Sequence, residues 1–191
     1  MSSSTIPNPI SSIFLLFLIS NITVTSSSNP LIEQVCSESR LGSKHKLCIQ
    51  ILESQPKIIS AKNLHDLALA IMQSGISNAT NTSTYIKNLL KGSMSTQPDL
   101  KLSLQDCKSA YDQIISSFII GSHDCIDKEY DAVSYGLLTA RTDGFKSCLD
   151  DVAVGKIKDG TILSGNNVTL IYAFSANEAV DIISRESHQI N

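Results

Sequence analysis

Side chains that commonly do chemistry are sparse in this sequence of 191 residues. The sequence contains no HExxH zinc motif, nucleophile elbow or phosphate-binding loop. His65 and Asp66 are adjacent in a helical pattern, so their side chains point about 100° apart and cannot form an oriented pair. We therefore interpret His65 as a surface or partly packed residue. The remaining histidines are scattered through the chain, at positions 45, 123 and 188.

Cys125 directly follows His123 and Asp124, and a cysteine beside a histidine is a pairing that nucleophilic catalysis uses. A thiol next to a loop is more often inert, or pairs with another molecule in an oxidising compartment. The nearby acids Asp124, Asp127, Glu129 and Asp131 lack the glycine and glutamate positions of a calcium loop, and a solvated helix start accounts for them. We therefore expect no catalytic residue, no metal ligand and no cofactor.

The N-terminus predicts a secretory signal peptide at residues 1–28. This stretch has no charged side chain, and its apolar run at 13–19 is followed by a small polar tract. The run is much shorter than the roughly 20 residues of a transmembrane helix, and no second apolar run follows. We expect cleavage between residues 22 and 28, which leaves a secreted, monomeric chain at 29–191 without a membrane segment. N-glycosylation sequons in that chain begin at Asn78, Asn81 and Asn167.

The composition limits the class of fold and partner. Hydrophobic residues make up 42% of the chain and charged residues 17%, which argues against a disordered protein. The formal net charge of −3 offers no basic surface for nucleic acid. Tryptophan is absent and aromatic residues are only 5%, which disfavours an all-β sandwich or barrel.

Helical periodicity predicts an all-α fold. Four long segments carry apolar residues at steps of three and four: 61–91, a segment following Pro98, 130–152, and one starting near Asn167. A bend or a fray of the helix is expected in the polar tract 78–84, and Gly155, Gly160 and Gly165 mark the loop before the fourth segment. Short connections favour an antiparallel up-down four-helix bundle over 58–191. Two shorter elements over 29–57 are expected to form a helical hairpin that turns at residues 41–43.

The five cysteines fit this arrangement as two disulfides and one free thiol. Cys36 and Cys48 lie on the two arms of the hairpin, where a bridge would pin an element too small to hold itself. Cys107 and Cys148 both lie on the inward seams of antiparallel segments. Pairing them leaves Cys125 free, and pairing Cys107 with Cys125 is the alternative.

Five stretches of the mature chain together resemble the plant invertase and pectin methylesterase inhibitors. They are NLHDLA at 63–68, PDLK at 98–101, LQDCKSAYD at 104–112, YDAV at 130–133 and TARTDGFKSCLD at 139–150. The resemblance implies a non-catalytic, disulfide-stapled bundle with an N-terminal hairpin. It also implies disulfides between the first and second and between the third and fourth family cysteines. The implied location is the apoplast or cell wall, rather than the vacuole.

The resemblance implies a protein target, either pectin methylesterase or acid invertase. The positions that match an inhibitor face are Tyr111, Asp143, Ser147 and Asp150. The chain departs from the family at Ser109, Gln113 and Ser116, where acids are common in methylesterase inhibitors, and at Arg141, where alanine is usual.

The stretch 127–130 lacks the Pro-Lys-Phe motif of invertase inhibitors. We therefore expect a methylesterase inhibitor that covers the substrate cleft without covalent binding. The alternatives are an invertase inhibitor and a secreted bundle without inhibitory activity.

Overall fold

The computed structural model describes residues 29–38, 42–92 and 97–189, and the regular elements within these ranges are helical. The predicted signal peptide lies outside the described residues. In chain order the elements are α1 (Pro30–Glu38), a 3-10 turn (Gly42–Lys44), α2 (His45–Glu53), α3 (Pro56–Ile59), α4 (Leu64–Lys91), α5 (Pro98–Ile126), α6 (Tyr130–Thr139), a π-helical segment (Ala140–Gly144), α7 (Lys146–Ala153) and α8 (Gly160–Gln189).

The N-terminal hairpin consists of α1 and α2, which the Cys36–Cys48 disulfide joins at a Cα–Cα distance of 5.7 Å. Asn29 fixes its start, because the side-chain oxygen accepts from the Leu31 backbone N–H at 2.9 Å. The Asn29 amide group also donates to the carbonyls of Ile59 and Ala61, each at 3.0 Å, which ties the hairpin to the end of α3. Both hairpin helices pack against α8.

Helix α4 is continuous through the polar tract 78–84, so the helix does not fray there. Asn63 caps its start, with the side-chain oxygen accepting from the Asp66 N–H at 2.8 Å. Part of the polar tract faces the neighbouring helices, because Thr82 and Ser83 are buried, whereas Asn81 is exposed. The Asn78 side chain donates to Thr169 of α8 at 2.8 Å. Contacts with α8 and α5 therefore outweigh the weak intrinsic helix propensity of this tract.

The third bundle helix is interrupted, which corrects the single segment expected over 130–152. The Phe145 N–H donates to the Ala140 carbonyl at 2.8 Å, a separation of five residues that characterises a π-turn. Inward residues step by three and four as far as Ala140 and then by five to Phe145. The extra residue turns Phe145 and Cys148 into the core, where both are fully buried.

Helix α8 begins at Gly160, seven residues before the expected start near Asn167. Asp159 caps it, because one carboxylate oxygen accepts from the N–H groups of Thr161 and Ile162 at 2.9 and 3.0 Å. Gly165 lies inside the helix, where a Cβ atom would stand 2.5 Å from Thr82 Oγ1. Gly165 therefore marks a close helix–helix approach rather than the expected loop.

The predicted fold class is confirmed: the chain forms an all-α, disulfide-stapled bundle with an N-terminal helical hairpin. The second disulfide joins Cys107 of α5 to Cys148 of α7, with a Cα–Cα distance of 4.3 Å. Cys125 is not in a disulfide, which leaves the Cys107–Cys125 alternative unsupported.

Candidate functional site

A shallow groove of about 690 Å³ runs along the outer face of the bundle between α5 and the third helix. We call it the α5–α6 groove. Helix α5 contributes hydroxyl, amide and carboxylate groups, and the third helix contributes a tyrosine and small residues. The lining residues are Ser109, Asp112, Gln113, Ser116, Ser117, Tyr135, Gly136, Thr139 and Ala140.

Tyr135 is the most exposed large side chain along this groove, with 73% of its surface accessible. It lies two residues after Val133 and two before Leu137, which are both buried, so it points away from the core. Exposed tyrosines are frequent energetic centres of protein interfaces. Sequence reasoning missed this residue, although its position off the apolar stripe of the segment was the available signal.

The groove carries little net charge. Its carboxylate, Asp112, accepts from Lys108 at 2.5 Å and from Ser83 at 3.3 Å. Ser109, Gln113 and Ser116 supply neutral hydrogen-bonding groups at the positions where the resemblance led us to expect acids. The face can thus offer hydrogen bonds around an aromatic side chain without a large desolvation cost for charges.

Two of the four predicted interface residues lie exposed on α7, which packs against α5 beside the disulfide. Ser147 and Asp150 are accessible, and Asp150 forms an ion pair with Lys146 one turn earlier. Asp143 lies in the π-helical segment between α6 and α7. Ser147 and Asp150 follow the α5–α6 groove along the third bundle helix, so the exposed surface beyond the groove carries these two predicted residues.

Tyr111 does not belong to this surface, so its assignment to an interface is corrected. The residue is fully buried, and its ring packs edge-on against Phe145 with a centroid distance of 5.0 Å. Its hydroxyl donates to Asn166 Oδ1 at 2.8 Å, and burial raises the pKa of the phenol well above its ordinary value. Tyr111 therefore stabilises the junction of α5, α8 and the π-turn and is inaccessible to a partner.

Arg141, one of the positions where the chain departs from the family resemblance, is only partly buried. The guanidinium lies over the Phe174 ring of α8, 3.7 Å from the ring centroid, and the residue is partly exposed. This cation–π contact holds the charge at the surface while the side-chain stem packs on an apolar residue. The arginine is accommodated by the aromatic residue facing it.

Cys125 has a different histidine neighbour from the one its sequence suggested. Its sulfur lies 3.8 Å from Nδ1 of His65 in α4, and the same nitrogen lies 3.2 Å from the Tyr130 hydroxyl. Burial raises the pKa of the thiol to about 11, which keeps it protonated and poorly nucleophilic. Since Cys125 is fully buried, a thiol of a second chain cannot reach it without local opening.

Asp124 lies in the last turn of α5, whereas Asp131 lies in the first turn of α6. The prediction that these acids lie at the start of a helix is therefore correct for Asp131 and wrong for Asp124. Within 29–38, 42–92 and 97–189, no three His, Cys, Asp or Glu side chains converge as metal ligands would. None of the helices in these ranges combines the length and apolar character needed to cross a bilayer.

This architecture defines a structural class, a disulfide-stapled helical bundle with an N-terminal helical hairpin. Residues 30–175 match the family described as plant invertase/pectin methylesterase inhibitor. The chain therefore belongs to the plant invertase/pectin methylesterase inhibitor family, whose members are inhibitors rather than enzymes.

Two solved structures share the fold. One is a mutant form of a pectin methylesterase inhibitor from Arabidopsis, with a TM-score of 0.68 and 19% identity over 78% of this chain and 95% of that one. The other is a pectin methylesterase inhibitor from Arabidopsis thaliana, with a TM-score of 0.58 and 18% identity over 83% of this chain and 96% of that one. A comparison with curated protein sequences found no match.

Proposed function

We propose that this protein is a secreted inhibitor of pectin methylesterase that covers the enzyme's substrate cleft with the outer face of α5 and the third helix. The observation that carries the proposal is the α5–α6 groove, where an exposed Tyr135 stands among neutral hydrogen-bonding side chains. Membership of the family supports an inhibitor, and the fold neighbours with this architecture are methylesterase inhibitors.

The turn between α5 and α6 favours a methylesterase over an invertase as the target. Residues 127–129 form this turn, and they lack the Pro-Lys-Phe motif that the resemblance associates with invertase inhibitors. The turn is closed by its own backbone, since the Glu129 N–H donates to the Asp124 carbonyl at 2.8 Å. Lys128 is exposed in this turn, whereas Tyr130 is partly buried, with its hydroxyl 3.2 Å from His65 Nδ1. Acid invertase remains the alternative target.

The proposed mechanism is steric exclusion of the substrate without a covalent step. Tyr135 would fill a depression on the enzyme while the serines and Gln113 pair with polar groups of the cleft. Asp150 adds a carboxylate that attracts a basic enzyme surface in the mildly acidic cell wall, with partial screening by salt. The chain would act as a monomer in the apoplast, after removal of residues 1–28.

Inhibition assays against both enzymes test this proposal. The disulfide-bonded mature chain is added to a panel of plant pectin methylesterases and to a cell-wall invertase at slightly acidic pH. We expect loss of methylesterase activity alone. Loss of invertase activity alone would transfer the function to the alternative target, and no effect on any enzyme of either panel would indicate a non-inhibitory relative.

Surface variants then locate the interface. Tyr135→Ala should weaken inhibition about 30-fold, the change that about 2 kcal/mol at an interface centre produces. Asp150→Lys and Asp143→Lys should weaken it less and mainly at low ionic strength. Tyr111→Phe, a buried control, should leave the inhibition constant unchanged in the folded protein. If all three surface variants inhibit like the wild type, the interface lies elsewhere.

A further inference from the structure

Two of the three sequons lie three residues apart on α4, and the structure separates their environments. N-glycosylation places the sugar on the side-chain amide nitrogen. In Asn78 that nitrogen donates to Thr169 Oγ1 at 2.8 Å and to the Gly165 carbonyl at 3.3 Å. A sugar there would displace both bonds and enter the helix interface at its closest approach, where Gly165 meets Thr82. Glycosylation of Asn78 is therefore incompatible with this packing.

Asn81 is exposed and borders a polar pocket of about 370 Å³. The pocket is bounded by Gln55 and Lys57 from the α2–α3 region, Gln73 and Ser77 from α4, and Tyr172 from α8. Its volume falls at the lower end of the range of small-molecule pockets, about 300–1,000 Å³.

The lining of this pocket has the chemistry of a neutral carbohydrate site. Side-chain amides and hydroxyls predominate, Lys57 is its one charged residue, and no carboxylate contributes. Amides and hydroxyls both donate and accept hydrogen bonds, as sugar hydroxyl and acetamido groups do. Tyr172 is only 3% exposed, so it presents a fixed edge rather than a mobile side chain.

We propose that Asn81, and not Asn78, carries an N-linked glycan whose first N-acetylglucosamine occupies this pocket against Tyr172. In the modification, the Asn81 amide nitrogen attacks C1 of the sugar of a lipid diphosphate-linked oligosaccharide. An N–C1 bond forms, the C1–O bond to the diphosphate breaks, and the lipid diphosphate leaves. The amide proton passes to a base of the transferase. The glycan then closes a polar depression that would otherwise be hydrated.

Production in a eukaryotic secretory host tests the site of attachment. The inference rests on the proposed secretion, which is read separately as recovery of the chain, cleaved between 22 and 28, from the medium. Peptide mapping after enzymatic deglycosylation in ¹⁸O-water should find labelled aspartate at position 81 and none at 78. Thr80→Ala destroys the first sequon without changing Asn78 and should change the intact mass only by the substitution itself, with no glycan lost. Asn81→Gln should remove one glycan. A glycan at 78, or a secreted chain with neither site occupied, would overturn the proposal.

Thermal melts test occupancy of the pocket. Secreted wild type should melt about 2–4 °C above Asn81→Gln. The same pair made in a bacterial periplasm, where disulfides form without this glycan, should melt together. In the glycosylated protein, Gln73→Ala should lower the melting temperature by most of the amount that the glycan adds. In the periplasmic protein, the same substitution should change the melting temperature little. If Asn81 is glycosylated and yet the secreted wild type and the secreted Asn81→Gln protein melt at the same temperature, the sugar lies outside the pocket, contrary to the proposal. Inhibition by glycosylated and periplasmic protein is measured in parallel, because its failure bears only on the proposed function.

Discussion

The α4–α8 pair and the third bundle helix, which consists of α6, the π-helical segment and α7, pack into the bundle in different ways. Helices α4 and α8 run without interruption for 28 and 30 residues and approach closely where Gly165 meets Thr82. The third helix is divided into α6 with 10 residues, a five-residue π-helical segment and α7 with 8 residues. One region is held by close approach over a long contact, and the other by a local change of helical register.

The closely packed part of this fold is the α4–α8 pair, whereas the surface proposed to contact a partner lies on the interrupted third bundle helix. The π-turn lets Phe145 and Cys148 reach the core, which costs the third helix its continuity but attaches α7 through a disulfide. The outer face opposite these residues carries Tyr135 and the α5–α6 groove. Interruptions of this kind are frequent at functional sites, and here the interruption adjoins the proposed interface.

Removing the Cys107–Cys148 disulfide should have the largest effect on the interrupted side of the bundle. The bridge closes a 41-residue separation, for which the loop-entropy estimate gives a loss of about 4 kcal/mol in Cys107→Ala/Cys148→Ala. Cys36→Ala/Cys48→Ala, with a separation of 12 residues, serves as the comparison and should lose about 3 kcal/mol. Urea unfolding measures both. A smaller loss in the Cys107/Cys148 variant than in the hairpin variant would contradict the role assigned to that bridge.

A glycine-to-alanine pair should give opposite signs in the two regions. At Gly165 an added Cβ would stand 2.5 Å from Thr82 Oγ1, so Gly165→Ala should lose about 1–3 kcal/mol through overpacking. At Gly136 in α6 a Cβ meets nothing within 4 Å, so Gly136→Ala should gain up to about 1 kcal/mol from helix propensity. Both variants are compared by thermal and chemical unfolding. A loss of stability at both positions would show that the third bundle helix is packed as closely as α4 and α8.

The sequence predicted the continuous helices better than the interrupted one, for a physical reason. A regular apolar stripe, such as Leu67, Ile71 and Ala79, can be recognised from residues close together in the sequence. In the structure these residues lie on the buried face of α4. The predicted start of α8 was wrong because two glycines, Gly160 and Gly165, indicate a loop. The sequence alone does not show which residue packs against Gly165. That residue, Thr82, is more than 80 positions away in the sequence.

The candidate site was only partly predictable. Ser147 and Asp150 are exposed as an interface requires, but Tyr111 matched the same resemblance and is buried, because family likeness carries no information on which way a side chain points. The π-turn is equally difficult to predict from sequence. Its only signal is one spacing of five residues between successive buried positions that are otherwise three or four residues apart. Tyr135, by contrast, precedes this five-residue spacing, and its position off the regular apolar stripe of Val133, Leu137 and Ala140 was a signal available in the sequence.

The ends of α5 and α7 allow a finer comparison. Both helices close with a backbone motif that needs a left-handed residue, which is Lys128 after α5 with φ 64° and Gly155 after α7 with φ 74°. A lysine in this conformation costs about 1 kcal/mol relative to glycine. Lys128→Gly should therefore gain about that amount, and Gly155→Ala should lose a similar amount. Denaturant midpoints measure both changes, and a destabilised Lys128→Gly protein would mean that the lysine side chain makes a contact worth more than the strain.

The smallest expected effect is a pH dependence at the end of α7. The hydrogen bond from Lys156 to Asp151, 2.8 Å long, lowers the pKa of this carboxyl below its ordinary value of 3.8, against the opposing effect of burial. Since the folded pKa is the lower one, the pair stabilises the protein fully above pH 3.8 and loses its contribution as the pH falls through the folded value. At mildly acidic pH the pair therefore stays intact. Between pH 5 and pH 2, the free energy of unfolding should fall more steeply for the wild type than for Asp151→Asn, and parallel slopes would show that this carboxylate is not selectively stabilised in the folded state.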